Sequence, residues 1–212
     1  MDLSWGSVQG HDDDTKREQT MSLGEGLARK MKPVSRELRV ALAAECASRV
    51  APVYVEYPVG FSYSEVERAV DIAWQFAAGT PYDDAEIQVC VANVTKLVEY
   101  YYDDGLDVLA ETTTAVLRAL ECVLGNDKES LRAVGRGMVS ARAAAQAAEA
   151  MANDGQHSTF TKEAALNEEA RWQDKAIAIA CTWQGPVSTT MFAAAGAKPP
   201  EWFTDWLKRS DR

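Results

Sequence analysis

The apolar residues of this chain recur at intervals of three and four along most of its length, and no segment alternates apolar with polar residues for long. A period near 3.6 places such residues on one side of an α-helix, whereas a half-buried strand needs a period of two. This pattern constrains the fold more than any other feature and predicts an all-α protein. Composition agrees: alanine, the strongest helix former, supplies 34 of the 212 residues.

Start and stop signals divide the pattern into a bundle of roughly six to eight helices. The first begins near Ser35, with a stripe of Leu38, Leu42, Cys46, Arg49, Val50 and Val53. Pro52 should kink or restart it. Ser64-Glu65-Val66-Glu67 reads as a capping box that opens the next helix, whose stripe is Val66, Val70, Ala73, Trp74 and Ala77. Asp83, Asp84 and Glu86 suit the first turn of a third, because the helix dipole favours acids there. That helix runs on through Ile87, Cys90, Val94, Val98 and Tyr101 until Gly105 breaks it, and a fourth follows over about residues 106–124. The fifth carries the alanine tract of residues 141–152, which allows close approach and predicts a central, tightly packed helix. Gly135-Arg136-Gly137 falls inside it, at a place where another backbone should come near. A sixth helix spans about residues 162–183, and a short one is expected over 187–195. Pro199 and Pro200 then open a last amphipathic segment bearing Trp202, Phe203, Trp206 and Leu207.

Residues 1–33 read differently. They are rich in glycine and charge, include Asp12-Asp13-Asp14, and lack a sustained period. The expectation is a flexible N-terminal arm, with at most a short amphipathic turn at Leu23, Leu27 and Met31, followed by a single helical-bundle domain over 34–212. Cys46, Cys90, Cys122 and Cys181 show no metal or redox spacing and all fall on helical stripes, so buried, reduced thiols are expected. The chain shows neither a secretory leader nor an apolar run long enough to span a membrane, so a cytoplasmic location is expected.

Charge narrows the function. The net charge is −10, and residues 51–130 hold 15 acids against four bases. Such a surface repels nucleic acid and anionic membranes and attracts basic proteins, although the same acids would also serve solubility alone. Catalysis has little to build on. His11 and His157 are the only histidines, so nucleophile–histidine pairs lack their usual base. There is no phosphate-binding glycine motif and no Glu-x-x-His pair, so no cofactor and no metal are expected.

The candidate site lies between the third and fourth helices. Glu99, Asp103, Asp107 and Glu111 recur every four residues, a self-repelling ridge were the helix continuous. Gly105 should split it and project the acids from a corner. Tyr100-Tyr101-Tyr102 stand beside them, and successive helical positions diverge by about 100°. All three rings therefore cannot be buried on one side. Tyrosine flanked by acids suits a protein interface, the ring supplying area and the acids steering a basic partner. Tyr100, Tyr102, Asp103, Asp104, Asp107 and Glu111 are the expected partner-binding residues. The plainer alternative is a tyrosine lying along the helix with its hydroxyl in water.

Two segments carry a family likeness. In residues 41–57, Cys46, Arg49, Pro52 and Tyr54 read C-x-x-R-V-x-P-x-Y, and residues 65–79 contain Ala69, Asp71, Ala73 and Trp74 before an acidic helix start. This resembles the all-α immunity proteins of bacterial polymorphic toxin systems, and is also similar to small helical bacterial proteins of unknown function. The resemblance implies a non-enzymatic cytosolic protein that binds and blocks a toxin, and it assigns no binding residue. Two other functions stay open: a small-molecule or enzymatic protein with an interhelical pocket at Trp74, Tyr101 or Trp183, and a self-associating protein using the Trp202/Trp206 segment.

Overall fold

The computed structural model describes residues 9–56, 62–153, 163–196, 200 and 202–203, and every regular element among them is helical. The order is α1 (Gln9–Lys30), α2 (Arg36–Val50), the single turn α3 (Val53–Glu56), α4 (Ser62–Ala77), α5 (Asp84–Asp103), α6 (Asp107–Leu124), α7 (Asp127–Asn153) and α8 (Ala164–Thr182). The all-α bundle is therefore as expected.

The alanine tract explains the arrangement. Ala141, Ala144, Ala145 and Ala148 are fully buried, and the small side chains let α7 pack at once against α1, α2, α6 and α8. Gly135 and Gly137 extend this closeness. A Cβ at Gly135 would lie 2.3 Å from the carbonyl oxygen of Gly24, and one at Gly137 would lie 3.2 Å from Cβ of Arg118. The glycine pair thus marks the places where α1 and α6 press onto α7.

Polar side chains tie helix ends together. Ser35 caps α2 by accepting from the Leu38 N–H (3.4 Å), and Asp83 caps α5 by accepting from Ala85 (2.9 Å). Asn126 and Glu129 form a capping box at the start of α7. The Asn126 Oδ1 accepts from the Lys128 and Glu129 N–H groups (both 3.1 Å), and Glu129 accepts from the Asn126 N–H (3.0 Å). Glu149 of α7 reaches the first turn of α8, accepting from Ala164 (3.3 Å) and Ala165 (3.1 Å). Arg36 donates to the Val123 carbonyl at the end of α6, where the helix dipole favours a cation. Arg39 pairs with Asp127 and donates to its carbonyl (2.9 Å), fixing α2 to the start of α7.

A buried ion pair lies in the core. Nε of Arg49 donates to Oε2 of Glu169 (3.1 Å), with both side chains almost wholly shielded from solvent. Gln173 Nε2 donates to the other Glu169 oxygen (3.3 Å) and to the Met138 carbonyl (2.9 Å), and its Oε1 accepts from Arg142 (2.7 Å). The Arg49 guanidinium also lies 4.3 Å from the centre of the Trp172 ring. The network joins α2, α7 and α8. Burial pushes the Glu169 carboxyl up, while Arg49 and Gln173 pull the other way.

Several expectations need correction. Residues 9–30 form a helix rather than a loose arm, with Leu27 and Met31 buried against the bundle. Packing at Gly24 supplies what the local sequence lacks. The helix containing Ser64 begins at Ser62, so the Ser64–Glu67 pair lies inside its first turns. Over residues 187–195 only Ala193–Ala195 forms a 3-10 turn; Ser188 and Thr190 bond to each other there (3.1 Å), a local alternative to helix. Cys46, Cys90 and Cys122 are buried, but Cys181 is exposed. Pro52 restarts the chain as α3. Trp202 and Phe203 are buried, whereas Trp206, Leu207 and His157 lie outside the described residues.

Candidate functional site

The corner between α5 and α6 is built by three successive residues. Asp104 ends α5, its N–H bonding back to the Tyr100 carbonyl (3.1 Å). Gly105 follows at φ +68°, a left-handed conformation that glycine takes without strain. The Leu106 N–H returns to the Tyr101 carbonyl (2.9 Å), a Schellman-like closure, and α6 starts at Asp107. The acid ridge is thereby split between two helices.

The three tyrosines diverge as the helical step requires. Tyr101 points inward, fully buried, edge-on to Tyr54 at 5.9 Å. Tyr100 and Tyr102 stand 48% and 47% exposed on either side of it, among the few large apolar or aromatic groups that the described surface presents. Asp103, Asp104 and Asp107 are exposed, and none of the ion pairs among the described residues involves them. Asp104 sits close enough to the Tyr100 hydroxyl to push the phenol up through a hydrogen bond and its charge.

Glu111 behaves differently from the other acids. It is half-buried one turn into α6, where its Oε1 accepts from the Tyr102 hydroxyl (2.9 Å). Burial, followed by the charge and hydrogen bond of Glu111, pushes Tyr102 up to about 12. Burial also pushes the Glu111 carboxyl up, against the pull of hydrogen bonds from Tyr102 and Ser140. The structure thus brings Tyr102, Asp107 and Glu111 together on one side of the corner and Tyr100 with Asp104 on the other.

Behind Tyr102 and Glu111 lies a cavity of about 590 Å³ roofed by α1. Its wall includes Arg118 of α6 and Arg132, Arg136 and Ser140 of α7. No sequence motif marked these arginines, because they come from two helices and converge only through the α6–α7 packing. A second, more open groove of about 710 Å³ runs between α1, α7 and α8, and the exposed Lys30–Asp174 pair (2.9 Å) lies in it. Neither of these two cavities has Trp74, Tyr101 or Trp183 in its wall.

Among the described residues, no group of three or more histidine, cysteine, aspartate or glutamate side chains is placed to hold a metal ion, and no helix is long and apolar enough to cross a membrane. No family model, curated protein or solved structure matches the chain.

Proposed function

We propose that this chain is a non-catalytic binding protein that docks its α5–α6 corner onto a basic protein surface, as a cytoplasmic bacterial immunity protein docks onto a toxin. The observation that carries the reading is the exposure of Tyr100 and Tyr102 beside Asp103, Asp104 and Asp107, acids that no described cation neutralises. Two half-exposed aromatic rings offer contact area with little rotamer entropy to lose, and the ring of acids would speed encounter with a cationic cleft. The positive cleft of a nuclease toxin is the kind of surface that this pattern complements. Gly105 supports the reading, since its tight turn holds the acids at the end of two rigid helices.

The test is affinity. The partner sought is a basic toxin domain encoded near this chain; once purified, it is titrated against the wild type and against D103K/D104K/D107K at low and high salt. The reading expects the triple variant to bind about tenfold or more weakly, and the wild-type affinity to fall as salt rises. Unchanged affinity and salt slope in a variant with intact helicity would refute it.

A further inference from the structure

The arginine-lined cavity has a polarity that the corner does not explain. Helices α6 and α7 run antiparallel, as the pairing of Glu111 with Ser140 and of Cys122 with Ser130 shows. Glu111 and Arg118 are seven residues apart on α6, so about 10 Å of helix separates them. Along α7, Ser140, Arg136 and Arg132 follow in the opposite direction at four-residue spacing, one side of the helix. One end of the cavity therefore offers the Glu111 carboxylate with the Tyr102 and Ser140 hydroxyls, and the other end offers three guanidinium groups, with the Glu25 carboxylate of α1 also in the wall.

The cationic end is incompletely satisfied. Arg118 gives one nitrogen to Glu121, while its Nε is buried without a partner. Arg132 and Arg136, neighbours on α7, form no ion pair among the described residues, although like charges four apart repel. Their forked donors match the planar or tetrahedral oxygens of a carboxylate or phosphate. A volume of about 590 Å³ lies in the range of small-molecule sites.

We infer that this cavity binds a small organic anion of about hexose size, its phosphate or carboxylate held by Arg118, Arg132 and Arg136 and an amine or hydroxyl donating to Glu111. This inference goes beyond the protein-binding reading and places the anion on side chains outside the exposed acid cluster. Tyr102 and Glu111 belong to both surfaces, so a bound ligand would fix the ring that edges the corner.

The probes are glucosamine 6-phosphate, which carries both groups, inorganic phosphate and glucosamine, each titrated calorimetrically into the full chain. The variants are R132Q/R136Q, at exposed positions, and K175Q on exposed α8 as a charge control. The expected result is saturable binding of glucosamine 6-phosphate, tighter than either single-ended probe. That binding should weaken about tenfold or more in R132Q/R136Q and be unchanged in K175Q. Absence of binding, equal affinity for inorganic phosphate, or full affinity in R132Q/R136Q would overturn the assignment. Toxin affinity should survive R132Q/R136Q, so failure here and failure of the protein-binding reading are separable.

Discussion

Replacing Gly135 by alanine tests the packing that defines this bundle. In isolation the change favours the helix by about 1 kcal/mol, because alanine loses less backbone freedom than glycine. At this position the new methyl would lie 2.3 Å from the Gly24 carbonyl oxygen and 3.2 Å from Cβ and N of Ala28. Ordinary contact is roughly 3.5 Å, so α1 must retreat by about 1 Å along the whole crossing. Overpacking of this kind costs about 1–3 kcal/mol, and a backbone obstacle that cannot rotate away belongs at the upper end. The net effect is a loss of about 1–2 kcal/mol, or about 2–8 °C in Tm for a chain of this size. Gly26→Ala is the matched control, since nothing lies within 4 Å of a Cβ there. It should gain about 1 kcal/mol and raise Tm by about 2–4 °C. Thermal unfolding followed by circular dichroism measures both. The reasoning fails if Gly135→Ala is as stable as Gly26→Ala, because the Gly24–Gly135 contact would then not be a close one. The same retreat would open the arginine cavity, so Gly135→Ala should also lose glucosamine 6-phosphate binding.

The buried network makes a second prediction. Arg49→Met leaves the Glu169 carboxylate shielded from water without its cation, and should cost about 3–5 kcal/mol in urea unfolding. Arg49→Met with Glu169→Leu removes both charges and should recover most of that loss. A third concerns pH. The folded-state carboxyl of Glu111 is raised, so its contribution to stability is largest below the unfolded value of about 4.3 and is lost as pH rises through the folded value. Glu111→Gln lacks this loss, so its Tm relative to wild type should climb across that window; a constant offset would contradict the assignment.

Local signals carried much of the fold. The Asp83 cap, the Gly105 break and the Pro52 restart act through neighbours in sequence, and each stands where its residue type demands. The alanine tract likewise announced a central helix, because small side chains matter through what they let approach. Other features depended on distant partners. Helix α1 looks like a broken, charged arm because Gly24 and Gly26 weaken its local preference, and only the contact with Gly135 explains it. Arg49 read as one member of a stripe, but its partner lies 120 residues away on α8. At the site, divergence of the three tyrosines follows from the helical step and was legible. The inward turn of Glu111 was not, since it depends on Tyr102 from α5 and Ser140 from α7. The arginine cluster has no linear signature at all.

Docking at the α5–α6 corner is tested most directly by amide hydrogen exchange of this chain with and without the basic toxin domain proposed as its partner. The account predicts slowed exchange over residues 100–109, where the turn amides and the unbonded first-turn amides of α6 lie, with α8 unaffected. Protection confined to another face, with the corner exchanging as it does in the free protein, would contradict it.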